Sequence, residues 1–136
     1  MSNLSTLQKC VVVAMCLFAG LFLYWRIGAG AGSIRSLETK SLTNVHTLAT
    51  ACRRFASDNH GKFPPSLDAL FPAYLTNRSQ LASPLKPDEP AGYIYTAGLT
   101  NTGPVNAVII EDKFGPSQHV RIVAYVDGSA RILDTP

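Results

Sequence analysis

The first feature of the chain is an apolar segment near its N-terminus. Residues 10–25 read CVVVAMCLFAGLFLYW, sixteen positions without a charge or a strongly polar group, and Arg26 follows them. As a helix, residues 10–27 would be about 27 Å long, close to the roughly 30 Å hydrocarbon core of a bilayer. Tyr24 and Trp25 suit an interfacial aromatic belt, and Arg26 can reach the headgroups. The pattern predicts a transmembrane helix over residues 10–27, after a short cytoplasmic segment, residues 1–9.

A cleaved signal peptide is the alternative interpretation of the same segment. Lys9, the apolar stretch and the small residues 29–31 (Ala-Gly-Ala) imitate the three parts of such a signal. The apolar stretch is at the long end for a signal, and Trp25 and Arg26 stand between it and the candidate cleavage site. A retained anchor is therefore favoured. The basic residues on the two sides of the segment do not by themselves determine its orientation.

A second helical pattern follows over residues 33–59, which contain neither glycine nor proline. Apolar side chains recur at intervals of three and four residues and predict one buried face, with charged side chains on the other side. Gly61 is the predicted C-terminal stop, and the prolines at 64 and 65 prevent continuation. At about 40 Å this helix is longer than the remaining residues can cover, so its N-terminal half is expected to protrude. The predicted apolar face consists of Ile34, Leu37, Val45, Leu48, Cys52 and Phe55, with Ser41 filling a gap and Leu42, Ala49 and Ala56 alongside.

Three alternate glycines, Gly28, Gly30 and Gly32, separate the two helical patterns. Each glycine weakens a helix by about 1 kcal/mol relative to alanine. Residues 28–32 are therefore predicted to form a juxtamembrane hinge. The alternative is a continuous helix that is held only by its neighbours.

The C-terminal half carries strand patterns. Tyr93 to Tyr95, between Gly92 and Gly98, and then residues 106–111 and 119–126 are predicted strands. Asp127 and Gly128 are the strongest hairpin signal in the chain and predict a two-residue type I′ turn, with residues 129–133 as the returning strand. Before the strands, Ser66 is the predicted N-cap of a short helix over residues 67–70. The predicted fold class is α+β, with one long helix packed on a small antiparallel sheet of about three to four strands.

Composition narrows the function classes. The 136 residues are 46% hydrophobic and 15% charged, which fits one packed domain. Residues 33–136 hold ten Lys and Arg against nine Asp and Glu, without a basic stripe, so nucleic-acid binding is not expected. Only Cys52 lies outside the apolar segment, so no disulfide can form within the domain, and no CxxC metal spacing occurs.

Catalytic motifs are also missing from the sequence. Ser129, Asp127 and His119 are the imaginable nucleophile, acid and base, but no G-x-S-x-G, H-E-x-x-H or glycine-rich phosphate loop occurs. Ordinary structural roles explain these residues, as they explain His46 on the long helix and His60 in the following turn. We therefore expect a protein without enzymatic activity and without an organic cofactor.

Several local patterns together resemble a known family. Residues 49–70 (ATACRRFASDNHGKFPPSLDAL) are similar to the pseudopilin pattern in which a helix ends before D-N-x-G-x-(F/Y)-P-x-x-L-x-x-L. Residues 92–99 (GYIYTAGL) resemble the following Y-x-Y-x-x-G strand, and residues 123–133 (VAYVDGSARIL) resemble the terminal D-G hairpin. In order and spacing, residues 33–136 resemble type IV pilins and type II secretion pseudopilins of the G-like group.

The resemblance implies a topology and a function. The implied location is the inner membrane, crossed once, with an extracytoplasmic pilin-like domain over residues 33–136. The implied function is structural, in a secretion or type IV pilus-type apparatus, and the implied partners are the lipid bilayer and other membrane or pilin-like subunits, including further copies. Small residues of the apolar helix, Ala14, Ala19 and Gly20, would allow close helix packing. Because pseudopilins often hold calcium in sheet loops, calcium is the one ligand considered, with Asp88, Glu111 and Asp112 as candidate oxygen donors.

The N-terminus departs from the family pattern. The family has a glycine before its cleavage site and a glutamate at the fifth mature position, whereas residues 8–11 are Gln-Lys-Cys-Val and no acidic residue precedes Arg35. Without processing, the chain keeps nine mainly polar residues on the cytoplasmic side and acts as a permanent anchor. This leaves a second hypothesis open: an accessory subunit or binding module of another membrane complex that uses a pilin-like scaffold.

Overall fold

The computed structural model describes the backbone of residues 6–135 and the side chains of residues 15–16, 33–115 and 118–135. The chain divides into two compact units, Met1–Arg35 and Ser36–Pro136. All the strands lie in the second unit. The description of contacts below therefore concerns Ser36–Pro136.

The two predicted helices belong to one element, α1, which runs from Thr6 to Asp58 over 53 residues. Within the described residues no helix is both long enough and apolar enough to cross a membrane. Except for residues 15 and 16, the side chains of the predicted span, residues 10–27, lie outside the described part. The side chains of the predicted packing positions, Ala14, Ala19 and Gly20, lie outside it as well. The backbone at Gly28, Gly30 and Gly32 is helical as part of α1, and the hinge and the packing both stay predictions.

The second half of α1 buries the face that its periodicity predicts. Val45, Leu48 and Cys52 have no exposed surface, and Ala49, Ala56 and Ser41 are equally buried. Leu42 and Phe55 pack against this core while remaining partly exposed. Periodicity also assigns Ile34 to the face, but 43% of its surface is exposed, because the buried stretch of the helix begins only at Ser41.

The helix ends where the sequence predicts. Gly61 has a φ of 80°, and its N–H donates to the carbonyl of Ala56 at 2.8 Å. This positive φ is accessible to glycine without the penalty that a Cβ carries. Ser66 is the N-cap residue of the following 3₁₀ turn, Leu67–Leu70, as predicted, but its side chain makes no capping hydrogen bond. The Ser66 carbonyl accepts from the N–H of Ala69 at 3.2 Å.

Four strands form one antiparallel meander in the order β1-β2-β3-β4. Their bounds are β1 Tyr93–Tyr95, β2 Val108–Asp112, β3 Val120–Tyr125 and β4 Ala130–Asp134. In β3, Val120, Ile122 and Ala124 join the hydrophobic core together with residues of α1, and Val123 on the opposite face is fully buried as well. The fold class is therefore α+β, one long helix with a four-stranded antiparallel sheet.

The β3–β4 hairpin contradicts the predicted type I′ turn. That turn needs a positive φ at two central residues, but only Gly128 has one, at 88°. The N–H of Tyr125 donates to the carbonyl of Ser129 at 2.9 Å, so these two residues close a three-residue loop, Val126 to Gly128. Within it the N–H of Gly128 donates to the carbonyl of Tyr125 at 2.9 Å. The longer loop keeps Val126 inside the core, with 2% of its surface exposed, and Asp127 accepts from the N–H of Ser129 at 2.8 Å.

Helix α1 holds the tip of this hairpin through one arginine. Arg53 Nη1 donates to the carbonyl of Asp127 at 2.6 Å, and the adjacent Arg54 is exposed. We expect Arg53→Ala to lower the free energy of unfolding by about 1 kcal/mol, because it removes a charge-assisted bond. Arg54→Ala is the matched control and should change it by less than about 0.5 kcal/mol. Urea unfolding of the full chain in detergent micelles measures both, and equal effects would contradict the assigned contact.

Candidate functional site

A carboxylate lies inside the domain at the end of β2. Asp112 has no exposed surface. The sheet register places it opposite Tyr93 of β1, and side chains of directly opposite residues project from the same face of the sheet. A fully buried acidic side chain is uncommon and needs hydrogen bonds or a cation. Asp112 is therefore the starting point for a candidate site.

Three donors surround this carboxylate. The hydroxyl of Ser41 donates to Oδ2, and the hydroxyl of Ser83 donates to the same oxygen at 2.6 Å. The backbone N–H of Phe114 donates to Oδ1 at 2.8 Å. None of the ion pairs among the described residues includes Asp112, so hydroxyl and amide dipoles alone solvate the group. We call Ser41, Ser83, Asp112 and the N–H of Phe114 the Asp112 cluster.

Tyr93 lies beside the cluster with an unsatisfied hydroxyl. Only 6% of Tyr93 is exposed, and its Oη is buried without a hydrogen-bond partner within the described part of the chain. Burial raises the pKa of Tyr93 to about 12, and the side chains of Asn44 and Ser41 lie close enough to oppose part of that increase. The phenol is thus neutral at physiological pH.

Because the Tyr93 hydroxyl has no partner among the described residues, its removal is expected not to lower the free energy of unfolding. Most substitutions of buried residues destabilise a protein, but Tyr93→Phe removes a buried polar group that makes no bond. We expect the free energy of unfolding to stay the same or rise by up to about 1 kcal/mol. Tyr95→Phe is the control, because the Tyr95 hydroxyl donates to the carbonyl of Pro64 at 2.6 Å and its loss should lower stability. Chemical denaturation of the two variants distinguishes them, and a clear loss for Tyr93→Phe would contradict the unsatisfied state.

A surface groove of about 620 Å³ adjoins the cluster. Most of its lining is apolar, from Leu67, Leu81, Pro90 and further residues, and Tyr93 forms part of it. Its charged lining residues, Asp68 and Arg78, neutralise each other through an ion pair of 2.6 Å. Pockets with this apolar character are common places for ligands or partner side chains.

The three calcium candidates have different environments. Glu111 forms a two-bond ion pair with Arg121, at 2.6 and 2.7 Å. Asp112 is occupied by the cluster, and Asp88 is exposed in the loop before β1. Within the described residues no group of three or more His, Cys, Asp and Glu side chains is arranged to hold a metal ion. Calcium binding stays an untested expectation.

The imagined catalytic residues are not all together. The Ser129 hydroxyl donates to Asp127 Oδ1 at 2.7 Å, and this bond with the Ser129 N–H holds the pKa of Asp127 below its usual value. His119 precedes β3, whereas Asp127 follows it, so the six residues of the strand separate them by about 20 Å. Ser129 and Asp127 complete a turn, and His119 is too far away to act as their base.

The stability of the domain is expected to depend on pH through a second buried polar pair, Cys52 and Tyr95. Burial raises the pKa of the Cys52 thiol to about 12 from an ordinary value of 9.0, and it raises that of Tyr95 as well. The unfolded chain therefore loses these protons at lower pH than the folded chain does. The free energy of unfolding should keep its full value below pH 9 and should decrease as the pH rises towards 12. Urea midpoints between pH 8 and 11 measure this, and Cys52→Ala should move the onset up towards the ordinary tyrosine pKa of about 10.

Sequence reasoning misses most of the Asp112 cluster. Ser41 is noticeable as a polar gap in an apolar face, and this gap is the one available signal. Ser83 lies in an irregular proline-bearing segment, and no pattern relates it to Asp112, which is 29 positions away. The sequence also makes Asp112 a candidate oxygen donor, but no pattern in it indicates that this side chain is fully buried.

Comparisons with known proteins identify no relative of the chain. No protein-family model, no curated protein and no solved structure matches the chain.

Proposed function

We propose that the chain is a non-enzymatic, membrane-anchored, pilin-like structural component of a secretion or type IV pilus-type apparatus, which assembles through its N-terminal helix. One observation carries this proposal. The apolar segment and the core-forming amphipathic segment belong to a single helix, Thr6–Asp58, and the second segment packs on a four-stranded meander. Helix, loop and meander follow in the order that the pilin-like pattern implies.

The arrangement suits a structural protein. Ser36–Pro136 has its own hydrophobic core, which suits a domain that is carried by a separate anchor. The apolar residues 10–27 would place that part in the inner membrane, with the domain on the extracytoplasmic side. Its partners would be the bilayer and neighbouring subunits, and helix packing rather than chemistry would be the mechanism.

A second candidate is an accessory subunit of another membrane complex. The observation that favours it is the N-terminal sequence, which has neither the cleavage glycine nor an acidic residue before Arg35. An unprocessed chain would stay anchored as a single copy beside a foreign partner helix. The small residues at positions 14, 19 and 20 would serve either form of packing.

Membrane topology is the first test. Asp88→Cys places a thiol on an exposed loop, and Ser5→Cys places one before the apolar segment; Cys52 is buried and serves as an internal control. In intact cells a membrane-impermeant maleimide should label position 88 and not position 5. Extraction of the protein by alkaline carbonate, or labelling at position 5 alone, would overturn the anchored topology.

Processing and assembly distinguish the two candidates. Intact mass and N-terminal sequencing of the detergent-extracted chain should show a start near Cys10 if prepilin-type processing occurs. A chain that begins at Met1 or Ser2 and forms no filaments in cryo-electron micrographs would favour the accessory subunit. Filaments formed by the unprocessed chain would support the structural component and contradict a requirement for cleavage.

A further inference from the structure

The Asp112 cluster connects segments that are far apart in the chain. Ser41, on α1, is 71 residues from Asp112, and Ser83, in the loop before β1, is 29 residues away. Both hydroxyls donate to the same oxygen, Oδ2. A single buried atom therefore holds the helix and the loop against the end of β2.

The loop side of this contact continues into the groove. Residues 81–92, which we call the groove-wall segment, include the lining residues Leu81, Ala82 and Ala91. The two ends of the segment meet at Ser83 and Gly92, since a Cβ on Gly92 would lie 2.1 Å from the Ser83 nitrogen. The Gly92 N–H donates to the carbonyl of Leu81 at 2.8 Å. The position of Ser83 is thus linked to the geometry of the groove.

We propose that Asp112 couples the packing of helix α1 at Ser41 to the conformation of the groove-wall segment. A buried carboxylate that loses one of its donors is poorly solvated, and it must move to recover a hydrogen bond. Because Oδ2 is shared, a shift that follows the loss of Ser41 weakens the bond to Ser83, and the reverse holds equally. Coupling of this kind is reciprocal by thermodynamic necessity.

The unpartnered Tyr93 hydroxyl gives the cluster a second arrangement. Tyr93 lies opposite Asp112, the acceptor of the Ser41 hydroxyl, in the sheet register, and its Oη has no partner within the described residues. It can accept the hydroxyl of Ser41 when that hydroxyl leaves Asp112. Since Tyr93 also lines the groove, this exchange would change the helix contact and the groove together. The coupling is independent of the proposed function, because it concerns only the contacts inside Ser36–Pro136.

Hydrogen exchange with mass spectrometry on the full chain in detergent micelles tests the coupling. We expect Ser41→Ala to accelerate amide exchange about tenfold in peptides from residues 81–92, as well as near position 41. Ser83→Ala should in turn accelerate exchange around residues 38–45 of α1. The double variant should show less than the product of the two single effects, since each substitution breaks the same contact.

Two controls separate coupling from general loss of stability. Ser57→Ala removes another helix hydroxyl, which donates to the carbonyl of Arg53 at 3.1 Å, and should leave residues 81–92 unchanged. Ser41→Thr keeps the hydroxyl and should restore slow exchange there if the alanine variant unfolds. Acceleration confined to the substituted element, or equal acceleration throughout β3 and β4, would overturn the proposal.

Discussion

Replacing Asp112 with alanine is expected to lower the free energy of unfolding by about 3 kcal/mol. The carboxylate has no exposed surface, and it accepts from two side-chain hydroxyls and one backbone N–H. Alanine would take this acceptor away from two buried hydroxyls and from one part-buried backbone N–H. The loss should exceed that of Ser41→Ala or Ser83→Ala, because each of these variants keeps the acceptor and weakens the remaining bonds without removing them.

The matched control is Asp88→Ala. Asp88 is exposed in the loop before β1, so its removal should change stability by less than about 0.5 kcal/mol. Urea unfolding of the full chain in micelles, followed by near-ultraviolet circular dichroism, measures both variants, since four of the five tyrosines lie in the domain. A loss for Asp112→Ala no greater than for Asp88→Ala would show that the cluster does not stabilise the domain. The same two variants, titrated with calcium, would test the sequence-based expectation of a metal site.

The fold is predictable wherever one physical pattern dominates. The spacing of Val45, Leu48 and Cys52 indicates the buried face of α1, because only that face can meet a sheet. The strands at Tyr93–Tyr95 and Val120–Tyr125 follow from short apolar runs between turn signals. The bounds of the first equal the prediction, and those of the second differ from it by one residue at each end. The exposure of Ile34 is harder to predict, because periodicity shows which face of a helix is apolar but not how far along the helix that face is buried.

The candidate site is much less predictable. A cluster such as that of Asp112 depends on the register between strands and on the path of an irregular loop, and a single sequence specifies neither in a readable pattern. The hairpin shows the same limit on a smaller scale. Asp127 and Gly128 correctly indicate a turn, but the burial of Val126 selects a three-residue loop over the tighter one. Tertiary packing decides between two turns that the local sequence permits equally.

Gly92 provides the second large expected effect. Gly92→Ala should destabilise the domain by about 3 kcal/mol, because the new Cβ would lie 2.1 Å from the Ser83 nitrogen and 2.8 Å from its Cα. Neither backbone is free to retreat. The N–H of Gly92 donates to Leu81, and its carbonyl accepts from the N–H of Lys113 at 3.0 Å. Ser83 is itself held by Asp112 at 2.6 Å.

Gly98, on the other side of β1, is the control that separates two causes of a glycine requirement. It has a φ of 83°, but no atom of the described residues lies within 4 Å of the place that a Cβ would take. Gly98→Ala should therefore cause only torsional strain of about 1 kcal/mol. Urea unfolding of the two variants should show a clear difference, with Gly92→Ala the less stable. Equal losses would mean that the chain relieves the Gly92 contact by moving the loop away. In that case the groove-wall segment would be linked to the Asp112 cluster less tightly than the geometry implies, because this link depends on the same close approach of Gly92 to Ser83.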